Sequence, residues 1–138
     1  MLWLFPLLIS ASTSSAPATL EVEIDGLRNQ KGEIRACLMS NKALFPDCGS
    51  DRNAMKQSVA ATSPHLSFTS FAPGTYALVL FHDENANSKL DTLLGIPREG
   101  FGFSRNPTVR FGTPRFEKVG MELGPGLTRI RVRLQYLL

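Results

Sequence analysis

Apolar and polar residues alternate in several short runs of this chain, and each run predicts a strand. In TLEVEIDGL, Leu20, Val22 and Ile24 fall on one side and Glu21, Glu23 and Asp25 on the other, the period of a half-buried strand. RNQKG has the composition of a turn and EIRACLM alternates again, so the two runs predict a β-hairpin. HLSFTSF places Leu66 and Phe68 inward. TYALVLFH is almost continuously apolar and predicts a central strand covered on both faces. Gln57 to Ala61 predict a short strand, FEKVGMEL another, and LTRIRVRLQYL the last, with GPG as the turn before it. SNKALFPDCGSDRNAMKQ reads as a loop with a short helical turn, and residues 83–115, rich in Gly, Pro and Asn, as a long irregular connection. No run carries a sustained helical period. The prediction is an all-β fold: one antiparallel β-sandwich of about seven strands, transthyretin-like or immunoglobulin-like, with one long irregular loop.

Composition narrows this picture. The chain has 138 residues, room for one domain, and 43% of them are hydrophobic, which excludes a disordered chain. A net charge of +3 is too weak to argue for nucleic acid. Arg129, Arg131 and Arg133 share one face of the last strand, and no aromatic residues interleave with them for base stacking. If the first and last strands are neighbours, this row meets Glu21, Glu23 and Asp25 and compensates it. The opening MLWLFPLLISASTSSAPA has the order of an export signal: an apolar run, small residues, then Ala16-Pro17-Ala18 as an A-x-A cleavage site. No Lys or Arg precedes the apolar run, which is also too short to span a bilayer. The expectation is a signal peptide over 1–18 and a single domain over 19–138, periplasmic or extracellular. Cys37 lies on the polar face of its strand and is within reach of Cys48 in the following loop. An exported chain allows a disulfide between them; a cytosolic one implies two free thiols.

The stretch FHDENANSKLD carries the chemistry most open to interpretation. Asp83, Asn85 and Asn87 fall at positions 1, 3 and 5 of a calcium-type loop, the Lys89 carbonyl at 7 and Asp91 at 9. Position 6, usually a left-handed Gly, is Ser88, and position 12, usually a bidentate Glu, is Leu94. The loop is therefore no EF-hand, and Glu99 or Glu84 is the candidate for the missing carboxylate. Any calcium affinity is expected at the weak extracellular end, roughly 0.1–1 mM. The alternative is that Asp83, Asn85 and Asn87 only cap turns.

The segment FAPGTYALVLFHDENANSKLDTLLGIPREGFGFSRN resembles the bacterial family catalogued as domain of unknown function 2141. Pro73-Gly74-Thr75-Tyr76-Ala77, Phe81-His82-Asp83, Asn85, Asn87, Asp91, Gly95-Ile96-Pro97, Glu99-Gly100 and Gly102-Phe103-Ser104 follow that family's order, and Gly112-Thr113-Pro114-Arg115-Phe116 its closing element. Ser88, Leu93 and Arg105 depart from it, standing for Gly, Asn and Asn. The resemblance implies an exported small β-sandwich and no particular reaction. The loop is also similar to calcium loops of B-type repeats in Gram-positive surface adhesins.

A hydrolase would use Ser104 as nucleophile and His82 as base, but no G-x-S-x-G elbow surrounds Ser104. Phe101 and Phe103 either grip a partner or fold back to plug the end of the sandwich, and the latter is expected. The reading is a non-catalytic, monomeric binding or envelope-associated module. It has a protein or envelope partner, no nucleic acid and no transmembrane segment, and calcium sits in the loop as a structural ion. A small hydrolase built on the same loop is the alternative, as is an ion-free structural domain.

Overall fold

The computed structural model describes residues 2–7, 16–88, 92–93, 96–110 and 112–138. Two packed sheets form an all-β sandwich. The smaller sheet holds three strands: β1 (Ala18–Asp25) lies between β4 (His65–Phe71) and β10 (Gly126–Arg133). The larger sheet runs β3 (Met55–Ala60), β2 (Glu33–Met39), β5 (Gly74–Asp83), β8 (Phe101–Phe103), and β9 (Met121–Leu123) pairs with the start of β5. β6 (Thr92–Leu93) and β7 (Ile96–Pro97) pair with each other. Among the described residues the strands number ten, against about seven expected, and the excess comes from the two- and three-residue pieces in the second half.

The inner faces follow the alternation read from sequence. Leu20, Val22 and Ile24 of β1, Ile34, Ala36 and Leu38 of β2, Leu66 and Phe68 of β4, and Leu78 and Leu80 of β5 all belong to one buried cluster. Ala18, Phe71, Leu123, Val132 and Leu134 belong to it as well. Gly102 presents no side chain to this core, because a Cβ there would lie 2.8 Å from Val132 Cγ1.

Four expectations need correction. β1 and β2 do not form a hairpin: β1 pairs with β10 and β4, and β2 with β3 and β5, so the connecting turn crosses between sheets. β1 and β10 are parallel, while the other described strand pairs are antiparallel. FEKV is one helical turn, α1 (Phe116–Val119), because Phe116 and Val119 bury together at an i, i+3 spacing, and only Met121–Leu123 is extended. Phe101 and Phe103 do not plug the sandwich end; β8 places both on the outer face of the larger sheet.

The compensation of the Arg row is observed. Register sets Glu21 beside Arg129, Glu23 beside Arg131 and Asp25 beside Arg133. Arg129 Nε lies 3.3 Å from Glu21 Oε2, and Arg131 reaches Glu23 at 3.4 Å and Asp25 at 3.7 Å. Cys37 and Cys48 are joined in a disulfide, with Cα atoms 6.3 Å apart. Ala18 is the first residue of β1 and is buried, and the Pro17 carbonyl accepts the Gly126 N–H at 3.1 Å. The expected boundary after Ala18 thus falls one residue inside the strand. Among the described residues no helix is long and apolar enough to cross a membrane.

Candidate functional site

The loop after β5 is organised around one carboxylate. Asp83 ends the strand on its outer face and is fully buried. Its Oδ1 accepts the Asn87 N–H at 3.1 Å, and its Oδ2 accepts the Ser88 N–H at 2.7 Å and Arg35 Nε–H at 2.8 Å. Ser88 has φ 65°, the left-handed conformation expected at that position. Arg35 also reaches Glu33 at 2.8 Å and donates to Ser58 Oγ at 3.1 Å. The hydrogen bond to Asp83, and then the charge of Glu33, raise the Arg35 guanidinium further above its ordinary range against the cost of burial.

The calcium expectation is measured against this geometry. Asp83 is already opposed by a cation and two amides. Asn85 and Asn87 lie in the exposed part of the turn, with Asn85 Oδ1 3.3 Å from the Asn87 N–H. Lys89 and Asp91 lie outside the described residues. Among the described residues no group of three or more His, Cys, Asp or Glu side chains is arranged to hold a metal. Glu99 Oε2 accepts the Glu84 N–H at 2.7 Å and so braces the loop from the other side. Of the expected ligand set, the described residues include Asp83, Asn85 and Asn87.

The two hydrolase candidates sit apart. Ser104 is opposite Leu78: its Oγ accepts the Leu78 N–H at 3.0 Å and donates to the Val119 carbonyl, tying β5 to α1. His82 is four residues further along β5, about 13 Å away at strand rise, and faces the opposite side of the sheet from Asp83. Its Nε2 lies 2.6 Å from the Lys31 carbonyl, which only accepts, so Nε2 carries the proton. Its Nδ1 lies 2.9 Å from Tyr136 Oη, and that hydroxyl accepts the Arg28 N–H at 3.2 Å. Both ring nitrogens of His82 are thus bonded within the fold. Arg28 stacks over the Tyr136 ring at 4.6 Å and bonds Glu84 at 2.6 Å. Burial alone would raise the Glu84 carboxyl; hydrogen bonds from Arg28 and Asn29, with the Arg28 charge, outweigh it and hold that carboxyl below its usual value.

A mainly apolar concave surface lies elsewhere, on the outer face of the larger sheet. Register aligns Lys56, Cys37, Val79 and Phe103 in one row across β3, β2, β5 and β8. The next row is Ser58, Arg35, Phe81 and Phe101. Together they floor a groove of about 610 Å³, walled by the Pro46–Gly49 turn with its disulfide, by Val109 and Arg110, and by Leu137. The size is that of a small-molecule site. A second apolar cluster supports its β8 end: Phe101 and Phe103 are 6.1 Å apart in an edge contact, and Phe45 packs edge-on against Phe103 at 6.3 Å and Phe116 at 5.7 Å. The sequence pattern does not single out Arg35, Lys56, Arg110, Val79 and Phe81 as site residues. The signal that could have found them is TYALVLFH itself: a strand apolar on both sides needs a cover or a ligand over its outer face.

A model of the bacterial family described as "uncharacterized protein conserved in bacteria", domain of unknown function 2141, matches residues 22–131, and the chain belongs to that family. No curated protein and no solved structure matches it.

Proposed function

We propose, from the premise that the chain is a bacterial protein of this family, that it is an exported, non-catalytic binding module of the cell envelope and that the groove is its binding site. One observation carries the reading: an apolar floor of Val79, Phe81, Phe101 and Phe103 at the bottom of a concave space of ligand size. Two more support it. The polar groups of catalytic type, Ser104 and His82, are engaged in bonds between elements of the fold. The Cys37–Cys48 bridge suits an oxidising compartment, and the exposed apolar side chains of Leu2, Trp3, Leu4 and Phe5 suit a leader that takes no part in the core. The test is titration with an uncharged aromatic fluorophore, N-phenyl-1-naphthylamine. Saturable enhancement in the native protein is expected, with loss in Val79→Glu and retention in Glu21→Ala. Equal response in all three proteins refutes a groove site.

Calcium in the 83–91 loop is a second reading, and the left-handed turn at Ser88 favours it. Arg35 opposes it by neutralising Asp83. A thermal midpoint raised by a few degrees in millimolar calcium relative to EDTA supports an ion; identical midpoints leave the loop to Arg35 alone.

A further inference from the structure

We infer that the groove's ligand is an amphipathic carboxylate, an apolar tail carrying one anionic head, with the head held by Lys56. This rests on the groove being a binding site at all, as proposed above. The floor is graded from one end to the other. Its β8 side is aromatic, with Phe101 and Phe103, and its β3 side ends in Lys56. Four strands at their usual spacing make this gradient on the order of 14 Å long, long enough to separate a head from a tail.

The charges around the groove are of one sign. Arg35, Lys56 and Arg110 line it, and no Asp or Glu does among the described residues. Arg35 is committed to Asp83 and Glu33. Arg110 follows Val109, which packs against the aromatic cluster of the β8 side, so it belongs to the tail end of the gradient. Lys56 is exposed at the rim on the β3 side and is the cation left there to meet an anion. The acidic groups nearby point elsewhere or lie far off. Glu33 stands at the opposite end of β2, four residues from the Cys37 that faces Lys56, about 13 Å at strand rise. Asp47, beside the wall residue Cys48, turns its carboxylate onto the Ser50 N–H at 3.3 Å and Oγ–H at 2.6 Å. A neutral apolar ligand would gain from the floor and nothing from this rim; a carboxylate gains from both.

Calorimetric titration of the native protein with decanoate and with decanol tests the assignment. Decanoate is expected to bind about tenfold tighter or more, the worth of one charge-assisted contact. Lys56→Gln should bring decanoate down to the level of decanol and leave the thermal midpoint unchanged, since the side chain is exposed, whereas Arg110→Gln should keep the preference for decanoate. Equal affinities in the native protein, or a preference that survives Lys56→Gln, overturns the head-group assignment and leaves the groove standing. Binding of neither compound overturns both.

Discussion

The two outer faces of this sandwich solve the same problem in opposite ways. On the smaller sheet, acidic β1 and basic β10 lie side by side and compensate one another in open water. That face needs no cover, and the hollow on it is lined mainly by charged side chains, among them Glu21, Glu23, Arg129 and Arg131. On the larger sheet, the outer face of β5 is apolar, and loops wall it into a groove with cations at the rim. The acidic residue that closes β5, Asp83, is buried and held by Arg35. Ion pairs of similar length therefore have different weight. Arg35–Asp83 at 2.8 Å organises a loop, whereas Arg129–Glu21 at 3.3 Å only tidies a surface.

The largest expected effect comes from breaking the buried pair. Asp83→Ala strands two amides and a guanidinium, and should lower stability by about 2–4 kcal/mol in urea unfolding at neutral pH. A loss below about 1 kcal/mol would place Asp83 on the same footing as the surface acids. An intermediate effect concerns Glu84, whose carboxyl is held below its usual value in the fold. Its ionised form therefore stabilises the protein above the unfolded-state pKa, and that contribution is lost as pH falls through the lower folded value. The thermal midpoint should drop from about pH 5 downward, and less steeply in Glu84→Gln; parallel curves would remove Glu84 from the account. The smallest effect is expected for Glu21 and Arg129. A double-mutant cycle should give a coupling of well under about 1 kcal/mol that fades in molar salt.

The same contrast marks how far the residues alone can be read. Alternation in β1, β4 and β10 is a local signal, so the inner core and the Glu–Arg compensation are legible in the order of residues. Cys37 is legible as an outward residue near Cys48 for the same reason. Which strands pair is a non-local property: nothing in RNQKG tells a hairpin from a crossing between sheets, and nothing in LTRIRVRL tells a parallel neighbour from an antiparallel one. FEKV reads equally well as strand or helix, because four residues are too few to separate the two periods. The site suffers most. Asp83 has the spacing of a metal ligand, yet its partner Arg35 lies 48 positions earlier. The groove exists only once four strands are placed in register, and no stretch of sequence contains it.

The parallel pairing of β1 and β10 has a mechanical side. Gly126 stands beside Ala18 and Arg133 beside Asp25, so the chain enters this pair at one end of the sandwich and leaves at the other. Tension applied between the two ends would pull the strands past each other lengthwise. All eight register pairs would carry that load together, instead of opening in turn like a zipper. Rupture would then be governed by the rate of crossing one high barrier, and the domain would resist stretching far better than its modest surface ion pairs suggest.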